Sequence, residues 1–122
     1  MTPDGTKMVA ASQQGGVWVS SDGGASWTEG LVADHRVYRG AAISDDGMTI
    51  VASNCCGGQN WISYDGGASW ARLSWGTTAY WERMAISGDG NTLLTVASED
   101  GGGVWMGKAT TTTTSAALRW KA

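Results

Sequence analysis

Short apolar runs, each of strand length, recur along this chain in a fixed order. Met8 to Ser12, Ile50 to Ser53 and Leu93 to Ser98 are apolar stretches that each end in Ala-Ser. Their length and bounding turn residues predict β-strands. An Asp-Gly pair, a tight-turn signal, precedes each one: Asp4-Gly5, Asp46-Gly47 and Asp89-Gly90. A glycine-rich loop follows each one, at residues 13–16, 54–60 and 99–103. Next comes a strand centred on Trp18, Trp61 or Trp105. Ahead of the second and third Asp-Gly turns lies a strand of small residues, Gly40 to Ser44 and Met84 to Ser87. The run Thr49 to Ala52 is apolar at nearly every position, as suits a strand covered on both faces.

The stretch Ser20-Ser21-Asp22-Gly23-Gly24-Ala25-Ser26-Trp27 returns as Ser63-Tyr64-Asp65-Gly66-Gly67-Ala68-Ser69-Trp70, 43 positions later. A fixed period of this size marks a repeat architecture. Each unit then holds four strands: the small-residue strand, the Ala-Ser strand, the Trp strand and a short strand after the repeated turn. The spacing predicts one all-β domain over residues 1–122, with units at about 1–31, 32–75 and 76–122. The first unit starts at the Asp4-Gly5 turn and lacks the small-residue strand. The third loses the repeated turn. Aligned on Trp105, it has Gly107 in the slot of Ser20, Ala109 in that of Asp22 and Thr114 in that of Trp27.

Asp followed by Gly-Gly is turn chemistry. The carboxylate accepts backbone N–H groups ahead of it, glycine reaches positive φ without strain, and the Trp packs beneath. An Asp repeated in successive units reads as architecture, with a catalytic acid or metal ligand as the weaker alternative. Both copies fit Ser-x-Asp-x-Gly-x-Ser/Thr-Trp, which resembles the Asp-box, or BNR, repeat of sialidase-like and sortilin-like β-propellers. The resemblance spans about residues 4–106. It implies about three propeller blades in an incomplete ring or an open stack, since propellers close with about 4–8 blades. It also implies that Ser20, Asp22, Gly24, Trp27, Ser63, Asp65, Gly67 and Trp70 are structural. Asp-box families include sialidases, xyloglucan-cleaving endoglucanases, sortilin-type receptors and a photosystem assembly factor. The box is structural in all of them, so the resemblance does not choose a function.

Composition narrows the classes. The chain has 122 residues with 19 Gly, 8 Trp, 1 Pro and no Phe, which suits short strands joined by tight turns. The net charge is −3 and no basic patch exists, which argues against nucleic-acid binding. No apolar run approaches the roughly 20 residues of a membrane-spanning helix. The start, Met1 to Gly5, lacks the charged and apolar regions of a signal peptide. Either the chain is not secreted by that route or the sequence is mature or partial. An extracellular or cell-surface location is the expectation.

Few residues carry candidate chemistry. Cys55 and Cys56 are adjacent and form a vicinal disulfide, remain two free thiols, or bridge to another chain. Two vicinal thiols do not complete a zinc site, and His35, the only histidine, is distant in sequence, so no metal is expected. Trp75, Tyr80 and Trp81, on the connection before the third unit, are candidates for a sugar platform. Tyr38 shares the slot of Trp81, which favours packing between units for those two, whereas the slot of Trp75 holds Val32. Tyr80, Glu82 and Arg83, with His35, Arg36 and Arg39, are of types a sialidase uses but do not rebuild its catalytic set. The run Thr110, Thr111, Thr112, Thr113 and Thr114 is an O-glycosylation candidate or an extended surface segment. No cofactor is implied. Two functions stand: a non-catalytic module that self-assembles and contacts glycans, and a fragment of a propeller glycoside hydrolase. Partners are then other copies of the chain or the remaining blades of a larger propeller. Leu118 to Lys121 is the segment expected to be donated to the incomplete first unit of a neighbour.

Overall fold

The computed structural model describes residues 1–31, 37–56, 59–73, 79–98 and 102–109, together with the backbone of 118–120. Trp75, His35, Arg36 and the Thr110 to Thr114 run lie outside the described residues. Among the described residues the repeated apolar runs become eleven strands in three antiparallel sheets. The first sheet holds β1 (Met8–Ala11), β2 (Val17–Ser20) and β3 (Thr28–Leu31). The second holds β4 (Tyr38–Ile43), β5 (Ile50–Asn54), β6 (Asn60–Ser63) and β7 (Ala71–Leu73). The third holds β8 (Trp81–Ile86), β9 (Thr92–Ala97), β10 (Gly103–Lys108) and β11 (Leu118–Trp120). Each sheet is an up-and-down meander in chain order. Among the described residues no strand of the first sheet fills the slot of β4 and β8, as the missing small-residue strand leads one to expect.

Two details differ from the sequence reading. Tyr38 and Trp81 were placed on connections, yet each is the first residue of its strand, β4 or β8. A register shift follows each of them, between Tyr38 and Gly40 and between Trp81 and Arg83. Such a bulge re-aims the side chain while the ladder continues. The other difference concerns the chain's last strand. Leu118–Trp120 pairs with β10 of its own sheet, Met106 opposite Leu118 and Val104 opposite Trp120, so it serves as that sheet's outer strand.

The period of two along each strand sorts side chains onto two faces. In the second sheet Ala41, Ala52 and Trp61 lie side by side on one face, and Ala42, Val51 and Ile62 on the other. The first face packs on Val9, Val17 and Leu31 of the first sheet, joined by Tyr38 and Trp70. The second packs on Trp81, Met84 and Leu93 of the third sheet, joined by Leu73 and Trp105. Trp81 and Trp105 meet edge to face, with ring centroids 5.6 Å apart. Small residues permit this closeness. A Cβ on Gly40 would meet the Arg83 Cα and the Met84 nitrogen, both at 3.2 Å. A Cβ on Gly30 would meet the Gly67 carbonyl oxygen at 2.9 Å. The architecture is all-β: three propeller-type blades stacked face to face, with no closed barrel among the described residues.

Candidate functional site

The repeated turn is held the same way twice. Ser20 Oγ accepts the Gly24 N–H at 2.9 Å and donates to Asp22 Oδ1 at 2.8 Å. Asp22 also accepts the Ser26 N–H at 2.9 Å and the Ser26 hydroxyl. Trp27 Nε1 donates to the Gly24 carbonyl at 3.1 Å. In the second copy Ser63 Oγ accepts the Gly67 N–H at 2.8 Å, Asp65 accepts the Ser69 N–H at 2.8 Å, and Trp70 Nε1 reaches the Gly67 carbonyl at 3.0 Å. Gly24 and Gly67 stand at φ 90° and 97°, which a side chain would strain. The buried member is the serine, not the aspartate. Ser20 and Ser63 are buried, whereas both carboxylates sit at the surface.

A second pinned turn lies across from the first. Thr2, Ser44 and Ser87 each donate a hydroxyl to the aspartate two residues on, Asp4, Asp46 or Asp89. Each hydroxyl oxygen then accepts the N–H five residues on, from Lys7 at 3.1 Å, Thr49 at 3.0 Å and Thr92 at 2.9 Å. The sequence reading recognised the Asp-Gly pairs but not these hydroxyl partners, although a Ser or Thr two residues ahead of every pair was a visible signal. The two kinds of turn are tied to each other in the first two sheets, and in the third, which has lost the repeated turn, Ala109 makes the equivalent tie. The Gly23 N–H donates to the Thr6 carbonyl at 2.9 Å, that of Gly66 to Met48 at 2.8 Å, and that of Ala109 to Asn91 at 2.8 Å.

These contacts set the electrostatics. Hydroxyl and N–H donors from Ser26, then Ser20, lower the Asp22 carboxyl from 3.8 to about 2, and Ser69, then Ser63, do the same for Asp65. Asp4 and Asp89 are lowered to about 2 by Thr2 and Ser87 first, and Asp46 is lowered chiefly by Ser44. Acids this strong, with their oxygens committed to local donors, are poorly matched to proton transfer near neutral pH. A cleft of about 250 Å³ lies between the two repeated turns, lined by Val19, Asp22, Ser26, Thr28, Gly30 and Gly66. No group of three metal-ligating side chains occurs among the described residues. No helix among them is long and apolar enough to cross a membrane.

The remaining candidates fall in different environments. Trp81 is 1% exposed, which removes it from any surface platform, while Tyr80 beside it is 37% exposed. The Tyr80 carbonyl accepts the Ser98 N–H at 3.0 Å. Close by in sequence, Glu82 takes both its oxygens to Arg39 Nη1 at 2.6 Å and accepts the Ser98 hydroxyl at 2.8 Å. These partners, Arg39 first, lower the Glu82 carboxyl. Arg83 donates to the Arg39 carbonyl at 3.1 Å. The pair therefore ties β4 to β8 across two sheets. Cys55 and Cys56 are joined as a vicinal disulfide at the end of β5, with Cys55 buried and Cys56 at φ 66°. Flanking them, Asn54 Nδ2, Gln59 Oε1 and both amide atoms of Asn60 are buried without a hydrogen-bond partner.

No family model matches the chain, and no curated protein matches it. Among solved structures it is similar to the crystal structure of a GH74 enzyme from Niastella koreensis, a β-propeller glycoside hydrolase, with a TM-score of 0.68 and 18% sequence identity. The match covers 91% of this chain and 19% of that one, so the chain spans less than a fifth of the enzyme's length. At this identity the likeness is one of fold: three consecutive sheets of this chain have the shape of propeller blades.

Proposed function

We propose that the chain is a non-catalytic structural and binding module of Asp-box propeller blades that assembles with other copies of itself. The observation that carries this reading is the treatment of a repeated face. Trp70 of the second sheet is covered by the first sheet, whereas Trp27, its counterpart, is 40% exposed on an unpaired face. Blade faces left apolar and open call for another blade. The aspartates serve their own turns, which supports an architectural role. In this reading the module works outside the cell or at its surface. It contacts glycans through Tyr80 and Trp75, and carries O-linked sugar on Thr110 to Thr114.

The second reading is a piece of a propeller glycoside hydrolase whose catalytic groups lie mostly outside these residues. The likeness to the GH74 enzyme, of which this chain spans 19%, favours it. A hydrolysis screen on sialosides and β-glucans, paired with a glycan array, separates the two. The module reading expects array binding, weakened by Trp75→Ala, with no turnover. Turnover above the buffer blank overturns it.

A further inference from the structure

We propose that a second copy of this chain docks head to tail, the outward face of its first sheet lying on the outward face of the third sheet. The proposal rests on the self-assembly reading and names the surfaces that reading requires.

The chain already makes this kind of contact twice internally. The face that the second sheet turns to the third carries Val51, Ser53, Asn60 and Ile62, all buried, and Ala42, partly buried. In the third sheet the same slots hold Ala85, Leu94, Val96, Val104 and Met106, in the register Ala85–Leu94–Met106 and Val96–Val104. Among the described residues no sheet covers this face, and Leu94 is 42% and Val104 37% exposed. Two slots that are polar in the covered sheet, Ser53 and Asn60, are valine in the open one. A surface destined for water changes in the opposite direction.

At the other end, the outward face of the first sheet carries Ala10, Trp18 and Trp27, in the slots of Ala52, Trp61 and Trp70. Those three second-sheet residues pack on Val9, Val17 and Leu31 of the first sheet. The open faces are thus the two halves of a contact that the chain satisfies between its own sheets. A contact between two different faces is heterologous. With two copies it closes into six blades if the rotation fits, within the roughly 4–8 of known rings, and otherwise it extends as a filament.

Paired charge insertions at exposed positions test the proposal by sedimentation. Leu94→Asp spoils one face and Ala10→Glu the other, and each should weaken self-association tenfold or more, because a charge must be desolvated in the contact. Mixed in equal amounts, the two variants should form a species of two chains that does not grow, since one intact contact remains. Circular dichroism checks folding, and Val104→Lys replaces Leu94→Asp if the latter unfolds. A wild type that associates while both variants associate equally well overturns the assignment of faces and leaves self-assembly standing. One variant retaining full association shows an isologous contact and also overturns it. A wild type that never associates removes the self-assembly reading itself.

Discussion

Removing the serine hydroxyl should hurt the second repeated turn more than the first. Ser63 Oγ accepts the Gly67 N–H at 2.8 Å in a buried setting and donates to Asp65 at 2.8 Å. Gly67 is buried because Val19 of the neighbouring sheet closes over it. Ser63→Ala leaves that N–H without an acceptor and out of reach of water, a loss of about 2–3 kcal/mol. Ser20→Ala breaks the same bond, at 2.9 Å, but Gly24 is only half-buried and water replaces the lost acceptor, so the loss is about 1 kcal/mol. For a domain of this size, roughly 3–5 °C of melting temperature accompanies each kcal/mol. Ser63→Ala should therefore melt roughly 6–15 °C below wild type and Ser20→Ala roughly 3–5 °C below. Thermal unfolding followed by tryptophan fluorescence, at one low protein concentration, measures both. Equal losses, or a larger loss for Ser20→Ala, would refute the claim that neighbouring blades bury the second turn and leave the first open.

Other outcomes follow from the same contacts. Gly30→Ala should separate the first two sheets, since its Cβ would stand 2.9 Å from the Gly67 oxygen and 3.4 Å from Trp70 Nε1. A destabilisation of about 1–3 kcal/mol in urea titration is expected. Acid should weaken the fold over a defined window. Asp4, Asp22, Asp65 and Asp89 have folded values near 2 against an ordinary 3.8, so the stability they confer is complete above about pH 4 and fades as the pH falls towards 2. Near pH 3 unfolding should take up about three protons through these four groups, read as the slope of melting temperature against pH by calorimetry. Replacing Cys55 and Cys56 together by Ser should cost only about 1 kcal/mol through the unfolded chain, because a bridge between adjacent residues closes almost no loop. A melting temperature within a few degrees of wild type checks this.

Much of the fold was legible in the sequence because the repeat writes the same chemistry several times. The Asp-Gly pairs at 4–5, 46–47 and 89–90 and the returning stretch ending in Trp27 and Trp70 located the hairpins, and the absent strand of the first sheet followed from the same register. What escaped was set by context or by backbone alone. Tyr38 and Trp81 enter strands because a bulge after each lets the ladder continue, and a bulge has no residue signature here. The Ala109 N–H bonds the Asn91 carbonyl at 2.8 Å although the third unit has lost the Ser-x-Asp pattern, since that tie uses only main-chain atoms. Trp27 and Trp70 each end the same Asp-Gly-Gly-Ala-Ser-Trp run, yet Trp70 packs against the first sheet while Trp27 is left exposed. Of the candidate site, the aspartates were read as acceptors of turn N–H groups, a role they share with the serines, which are the buried members while the carboxylates sit at the surface.

In the proposed assembly, the blade faces at both ends of this chain are covered by blades of other copies. The native mass of the purified chain, followed by sedimentation across a wide concentration range, tests it most directly. Such assembly gives a mass that rises with concentration to at least twice 12.7 kDa, either stopping at two chains as a ring or continuing as a filament. A monodisperse, stable particle of 12.7 kDa at every concentration would contradict it.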